Sequence, residues 1–113
     1  SMIDIREKEE SFAGDSAQVV KVQGPLDKWG AARLRLQLLM PVASGCQKLL
    51  LDMRRVPYID SDGIKTLLAL KEDWEGVSIE LLNANKSIRR ALSLTRLDSV
   101  FPLVENTANP ISQ

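Results

Sequence analysis

A continuous apolar run, KLLLDM at residues 48–53, is the strongest indication of how this chain folds. A strand with one face in water alternates polar and apolar residues, and this run does not alternate. It is therefore predicted to be a central strand that is covered on both faces. Such strands belong mainly to parallel sheets with helices packed against them, so the run by itself favours an α/β fold.

Four further stretches are predicted strands. QVVKVQG at 18–24 and VSIELLN at 77–83 are rich in Val, Ile and Leu and end in turn residues. VFPLVEN at 100–106 predicts a last short strand, and residues 2–6 predict an N-terminal edge strand. Helical patterns separate the main strands, which implies crossover connections and hence a mostly parallel central sheet with helices packed on it.

The first predicted helix covers residues 27–40. Its apolar residues recur at helical spacing, in a stripe that Leu34 and Leu38 widen: Trp29, Ala32, Leu36 and Leu39. Pro41 removes a backbone donor and is expected to kink or loosen the helix, and Gly45 is expected to close it.

Two more helices are predicted after the central strand. One follows the tetrad DSDG and ends at Gly76, and its apolar face is formed by Ile64, Leu67, Leu68 and Trp74. The other is KSIRRALSLT at 86–95, with Asn85 as its cap. The chain has 113 residues, which suits one domain over 1–113 with its core at 17–105. A cloning remnant is expected within residues 1–2 and a frayed tail at 107–113.

Composition removes several classes of function. The chain has no histidine, which excludes Ser-His-Asp and Cys-His catalysis and histidine metal sites. Its one cysteine, Cys46, cannot form an intramolecular disulfide and is predicted to be a small hydrophobic residue. Fifteen basic residues balance fifteen acidic ones, which argues against a nucleic-acid partner. No stretch approaches the roughly 18 apolar residues of a membrane helix, so we expect no membrane insertion and a cytoplasmic location.

The tetrad Asp60-Ser61-Asp62-Gly63 stands where the central strand gives way to a helix. A serine or aspartate there can cap the helix, and capping alone would explain it. A calcium loop is excluded because, counted from Asp60, Lys71 stands at the twelfth position, where a glutamate is needed. A nucleophilic serine is disfavoured because no base is available and the G-x-S-x-G pattern is absent. A serine phosphorylated by another protein's kinase remains, since a helix N-terminus tolerates the added charge of about −1.5 to −2.

These stretches together resemble a known family. KLLLDMRRVPYIDSDGIKTLLAL at 48–70 resembles the central motif of the STAS domain, shared by bacterial anti-sigma factor antagonists and the cytoplasmic tails of sulfate transporters. The motif positions are Asp52, Tyr58-Ile59, Asp60-Ser61, Gly63 and Leu67-Leu68. Upstream, VVKVQGPLD resembles the first core strand and its turn, with Gly24, Leu26 and Asp27. Downstream, residues 77–106 resemble the last strand, the helix after it and the closing stretch, so the likeness covers about 17–105.

The resemblance implies a function as well as the α/β fold. In the anti-sigma factor antagonist branch, a partner that is both anti-sigma factor and serine kinase phosphorylates the serine after the motif aspartate. The unphosphorylated form binds this partner and frees the sigma factor, phosphorylation blocks binding, and a PP2C-type phosphatase resets the switch. Carried over, Ser61 is the phosphoacceptor, and the partner-binding residues are Asp27, Asp60, Ser61, Asp62, Gly63 and Lys65.

The same resemblance implies a binding protein that is not an enzyme, with no catalytic residue, cofactor or metal. Exposed sheet edges would allow a weak dimer as well as a monomer. Arg54 and Arg55 precede the motif and either are solvated or steady a phosphate on Ser61. Asp62 departs from the family pattern, because it puts a fixed negative charge where small residues are common. Pro25 also departs from it and stiffens the turn before Asp27.

Two other functions fit the same family. One is a binding-only accessory subunit of a membrane lipid-transport ABC system. The other is a STAS regulatory module of another kinase or phosphatase pathway.

Overall fold

The structure is a computed structural model, and it describes residues 17–105. The strands are β1 Ala17–Gln23, β2 Lys48–Arg55, β3 Ser78–Leu82 and β4 Leu103–Val104. The helices are α1 Lys28–Ala43, α2 Ser61–Asp73 and α3 Lys86–Leu94, and a 3₁₀ turn, Leu97–Ser99, precedes β4. The predicted edge strand at 2–6 and the predicted tail at 107–113 lie outside the described residues.

The described strands form one sheet in the order β1-β2-β3-β4, and every neighbouring pair is parallel. Leu49, Leu50 and Leu51 in the central strand β2 are each at most 2% exposed. Leu49 and Leu51 belong to the main core, while Leu50 packs with Val19 and Leu82 on the opposite face. The prediction of a central parallel strand covered on both faces is therefore confirmed.

The three helices pack on one face of this sheet. Their buried residues join the core residues of β1, β2 and β3 in one cluster; they are Leu34 and Leu38 of α1, Leu67 and Leu70 of α2, and Ile88 and Leu92 of α3. Cys46 is buried in the same cluster, as predicted, and its Sγ donates to the Lys48 carbonyl at 3.0 Å. No helix among residues 17–105 is both long enough and apolar enough to cross a bilayer.

Helix α1 buries only those residues of its predicted stripe that widen it, Leu34 and Leu38. The side facing the sheet carries its buried residues, which are Gly30, Ala31, Leu34, Leu38 and Pro41. Trp29 and Leu36 are each 68% exposed and Leu39 is 48% exposed. The stripe prediction was right for Leu34 and Leu38 but wrong for its other residues, because α1 is apolar on both faces and helical periodicity alone could not choose between them.

The C-terminal end of α1 is closed by a glycine in the left-handed conformation. The helix continues past Pro41 to Ala43, and Gly45 adopts φ +91°. Gly45 N donates to Val42 O at 3.0 Å and Cys46 N donates to Pro41 O at 3.1 Å, which is a Schellman motif. Gly45 therefore closes the helix as predicted.

The other two helices agree with prediction more closely. Helix α2 ends at Asp73, before the predicted end at Gly76, and Leu68 is 37% exposed rather than buried with Leu67. Asn85 caps α3, as predicted, and its Oδ1 accepts from Ile88 N at 2.9 Å.

Candidate functional site

Three capped helix N-termini follow the carboxyl ends of β1, β2 and β3. The capping residues are Asp27 for α1, Asp60 for α2 and Asn85 for α3. Because all the strands are parallel, their carboxyl ends share one edge of the sheet, which is where α/β proteins commonly bind ligands and partners. The predicted site residues of the β1–α1 and β2–α2 junctions therefore lie at this edge.

The first two caps have the same geometry. Asp27 Oδ1 accepts from Trp29 N at 3.0 Å and from Gly30 N at 2.8 Å. Asp60 Oδ1 accepts from Asp62 N at 2.9 Å and from Gly63 N at 3.1 Å. The predicted capping role within the DSDG tetrad is thus confirmed, and the side chain that performs it is the carboxylate of Asp60.

Backbone hydrogen bonds hold these two helix starts side by side. Leu26 N donates to Tyr58 O at 2.9 Å, and Asp60 N donates to Leu26 O at 3.2 Å. Leu26 and Ile59 therefore form a short parallel bridge between the two loops. As a result, the residues after Leu26 and after Ile59, which are Asp27 and Asp60, belong to one surface.

Glycine is required at the third residue of each helix because the loops pass so close. A Cβ on Gly63 would overlap the Leu26 carbonyl oxygen and lie 2.7 Å from Ile59 Cγ1. A Cβ on Gly30 would likewise overlap the carbonyl oxygen of Pro25. Gly63 therefore contributes to the site by letting α2 begin directly against the β1–α1 loop.

The likeness between the two helix starts is visible in the sequence as two matching pentapeptides. LDKWG at residues 26–30 and IDSDG at residues 59–63 share the pattern apolar-Asp-x-x-Gly. In each copy the apolar residue forms the bridge, the aspartate caps and the glycine makes room. Comparing the two stretches would have predicted paired helix starts.

Ser61 is the first residue of α2 and is exposed. Its hydroxyl makes no hydrogen bond to any residue between 17 and 105. Asp62 and Lys65 are also exposed on α2, and Tyr58, in the preceding loop, is 45% exposed. The edge thus presents an exposed hydroxyl, with exposed charged and aromatic residues near it along the chain.

Two asparagines, which sequence reasoning had not assigned to the site, contact the segment before Ser61: Asn85 holds the loop, and Asn83 holds the strand that leads into it. Asn85 Nδ2 donates to the carbonyl oxygens of Val56 at 3.3 Å and Pro57 at 3.0 Å. Asn83 Nδ2 donates to Asp52 Oδ1 at 3.2 Å, within β2. Isolated asparagines give no sequence signal for such contacts, because their partners are backbone atoms and distant side chains.

Arg54 and Arg55 line a depression that Ser61 does not line. Together with Lys21, Gln23 and Asp52 they line a shallow depression of about 230 Å³ at the ends of β1 and β2. Ser61 is not among the described residues that line it. A role for either arginine towards a phosphate on Ser61 stays a prediction.

The polar groups at this edge differ in whether they are used in capping. The chain has no histidine to act as a base for Ser61. Within residues 17–105, no three Cys, Asp or Glu side chains are grouped so that they could hold a metal ion. The carboxylates of Asp27 and Asp60 are occupied in capping, which leaves the Ser61 hydroxyl and the Asp62 carboxylate facing outwards.

Separate replacements of Asp60 and Ser61 should show which of the two residues stabilises α2 by capping it. We expect Asp60→Ala to lower the free energy of unfolding by about 1–2 kcal/mol, because two N–H groups of α2 lose their acceptor. Ser61→Ala should change it by no more than about 0.5 kcal/mol. Urea denaturation followed by circular dichroism measures both, and an equal loss in the two variants would contradict the assignment of capping to Asp60.

Fold and site together define a class: a small parallel α/β domain that presents an exposed serine at a helix N-terminus, beside a second capped helix. The sequence profile of the STAS domain matches residues 11–109. The chain therefore belongs to the STAS domain family.

Individual relatives agree with this assignment. A candidate anti-sigma factor antagonist, BtrV from Bordetella bronchiseptica, is 24% identical over 94 residues, which is 81% of each chain. The crystal structure of an anti-sigma factor antagonist from Mycobacterium paratuberculosis matches with a TM-score of 0.70 and 27% identity, over 89% of this chain and 87% of that one. By sequence and by structure, the chain is thus similar to anti-sigma factor antagonists.

The fold is also that of SpoIIAA, another anti-sigma factor antagonist. Its unphosphorylated form matches with a TM-score of 0.65 and 19% identity, over 89% of each chain. Its phosphorylated form, from Bacillus, matches with a TM-score of 0.59 and 19% identity, over 89% of this chain and 92% of that one.

Proposed function

We propose that this protein is an anti-sigma factor antagonist that is switched by phosphorylation of Ser61. In the unphosphorylated state it binds an anti-sigma factor that is also a serine kinase, and the sigma factor is released. Phosphate on Ser61 ends this binding, and a PP2C-type phosphatase restores it. On this proposal the protein is a binder and a kinase substrate rather than an enzyme, and it acts in the cytoplasm, where the kinase has ATP.

The observation that carries the proposal is the division of labour between Asp60 and Ser61. Asp60 supplies both capping hydrogen bonds, and Ser61 supplies none to any residue between 17 and 105. A serine that also capped the helix would weaken the fold whenever it was modified. Here the hydroxyl is exposed and its modification removes no described contact, as a reversible switch requires.

A phosphate at this position would change the surface sharply. It would add a charge of about −1.5 to −2 between Asp60 and Asp62. The N–H groups of Asp62 and Gly63 already donate to Asp60, so they are not free to bind the phosphate. The added charge would therefore stay at the surface and repel a partner that fits the neutral hydroxyl.

The neighbouring charges describe the partner. Asp62 is exposed and carries a negative charge in both states of the switch, so a partner that binds the unphosphorylated form accommodates one negative charge beside the serine. Lys65 stands four residues after Ser61, on the same side of α2, and is the nearest described cation along the helix. We assign Asp27, Asp60, Ser61, Asp62, Gly63 and Lys65 to the partner-binding surface.

The relatives support the same proposal. The protein from Mycobacterium paratuberculosis and SpoIIAA are both named as anti-sigma factor antagonists, and SpoIIAA is known in an unphosphorylated and a phosphorylated form. Ser61 lies at the N-terminus of α2, and Asp60 caps that helix. Ser61 can therefore be unphosphorylated or phosphorylated without loss of the cap.

The test is phosphotransfer with a matched serine as control. We would incubate the protein with ATP and, in turn, with each purified anti-sigma factor/kinase that the source genome encodes. Peptide mass spectrometry would then locate the phosphate. We expect one phosphate on Ser61. Ser87 is the control, because it is also exposed and lies in the first turn of a capped helix, α3, but has no aspartates beside it. Ser87→Ala should leave phosphotransfer unchanged and Ser61→Ala should abolish it.

Two outcomes would overturn the proposal. One is the absence of phosphotransfer to Ser61 with every such kinase, and the other is equal transfer to Ser87. Stable binding to a transporter ATPase without phosphotransfer would assign the chain to the accessory subunits of lipid transport instead.

A further inference from the structure

Helix α1 has a second apolar face that the described residues leave largely exposed. We call it the outer stripe, and it consists of Trp29, Ala32, Leu36, Leu39, Met40 and Ala43. At 100° per residue, these side chains point away from the buried Leu34 and Leu38. All six are exposed, and Met40 reaches 73%. A helix with two apolar faces is normally covered on both of them.

The spacing of the stripe suits another helix. Trp29, Ala32, Leu36, Leu39 and Ala43 follow the alternating three- and four-residue steps of the a and d positions in a heptad. Residues with this spacing form a narrow apolar strip along the helix, and one partner helix can cover it. The stripe is also rigid, because α1 is held to the sheet by its buried face and to α2 by the Arg35–Asp73 ion pair.

We propose that the outer stripe binds a second copy of this chain, with the two α1 helices antiparallel about a two-fold axis that passes by Leu36. About that axis Trp29 faces Ala43 of the partner, and Met40 faces Ala32 of the partner. Trp29 and Met40 therefore each meet a small side chain, Leu36 meets itself, and Leu39 faces the partner's Arg33. A surface that is complementary to itself in this way is what an isologous dimer interface requires.

The charges along the stripe agree with an antiparallel pair. Helix α1 contains Lys28, Arg33 and Arg35 and no acidic residue, so parallel copies would place like charges opposite each other. Arg35 is already paired with Asp73. In the antiparallel arrangement Lys28 lies beside the C-terminal end of the partner's α1, where the helix dipole favours a cation.

The exposed area indicates a weak dimer. The four large side chains of the stripe expose on the order of 500 Å² per copy, so a pair buries about 1,000 Å², near the lower limit for a specific interface. Dimers should therefore form in the micromolar range. The axis is about 12 Å along α1 from Lys28, which leaves the two Ser61 sites at opposite ends of the helix pair and accessible.

The first test measures mass against concentration. We expect the weight-average mass from sedimentation velocity to rise from monomer towards dimer over about 1–500 μM. Leu36→Glu should raise the dimer dissociation constant at least tenfold. Leu94→Glu is the matched control, because Leu94 is 75% exposed at the end of α3, away from the stripe, and it should dimerise like the wild type. A monomer at every concentration, or equal loss in both variants, would overturn the proposal.

The second test identifies the partner residue. Leu36→Cys should cross-link to itself under mild oxidation because the axis brings the two copies of residue 36 together, while Leu94→Cys should not. A deletion of residues 1–16 should leave this cross-link intact, and its loss would mean that the N-terminal segment takes part. Binding of the wild type to anionic vesicles that Leu36→Glu abolishes, with no cross-link, would assign the stripe to a membrane and overturn the dimer.

Discussion

Gly63→Ala is expected to lower the free energy of unfolding by about 3 kcal/mol, which is a large loss for a single methyl group. The added Cβ would overlap the carbonyl oxygen of Leu26, and that oxygen already accepts from Asp60 N. Backbone atoms on both sides of the clash belong to paired loops, so neither can move without breaking the Leu26–Ile59 bridge. The gain in helix propensity, about 1 kcal/mol, is smaller than this cost.

Thermal unfolding followed by circular dichroism measures the effect, and the melting temperature should fall by about 10 °C or more. The matched control is Gly76→Ala, because a Cβ on Gly76 meets no atom within 4 Å. That variant should be as stable as the wild type or slightly more stable, since alanine lowers the entropy of the unfolded chain. A similar loss in both variants would show that the close approach at Gly63 is not the cause.

The strands were predictable because their signal is local. A continuous apolar run such as β2 is stable only where both of its faces are buried, and Leu50 on the second face is buried with Val19 and Leu82. Asn85 was predictable for the same reason, since a cap depends on residues within one helical turn. Each of these elements is decided by neighbours in sequence.

The face of α1 and the need for Gly63 were not predictable from local patterns. Leu34 and Leu36 are equally apolar, and only the packing against the sheet buries the first and exposes the second. Gly63 is needed because of an oxygen that belongs to Leu26, a residue far from it in sequence. Both facts depend on which segments the fold brings together, as does the choice of Asp60 over Ser61 as the capping residue.

That choice matters for the switch, because it separates the stability of α2 from the chemistry of its first residue. Asp60 accepts from the same two N–H groups whether or not Ser61 carries a phosphate. The two states of the proposed switch should therefore share one fold and differ in surface charge. A partner can then be released by repulsion at the surface, without any rearrangement of the domain.

Ser61→Asp is accordingly expected to weaken binding to the anti-sigma factor/kinase by at least a hundredfold, with little effect on stability. It replaces a neutral hydroxyl by a carboxylate between Asp60 and Asp62, and like charges facing a partner that fits the hydroxyl cost several kcal/mol. Ser61→Ala, which adds no charge, should bind continuously even in the presence of ATP. Isothermal titration calorimetry with the purified kinase measures both affinities.

The same titrations separate charge from shape. Ser61→Asn, which has nearly the size of the aspartate but no charge, should bind far more tightly than Ser61→Asp, and the difference should shrink as the salt concentration rises. Leu36→Glu should bind like the wild type, because the outer stripe is centred about 12 Å along α1 from Lys28. Equal affinities of Ser61→Asp and the wild type would refute the phosphorylation switch, even if the protein still bound the kinase.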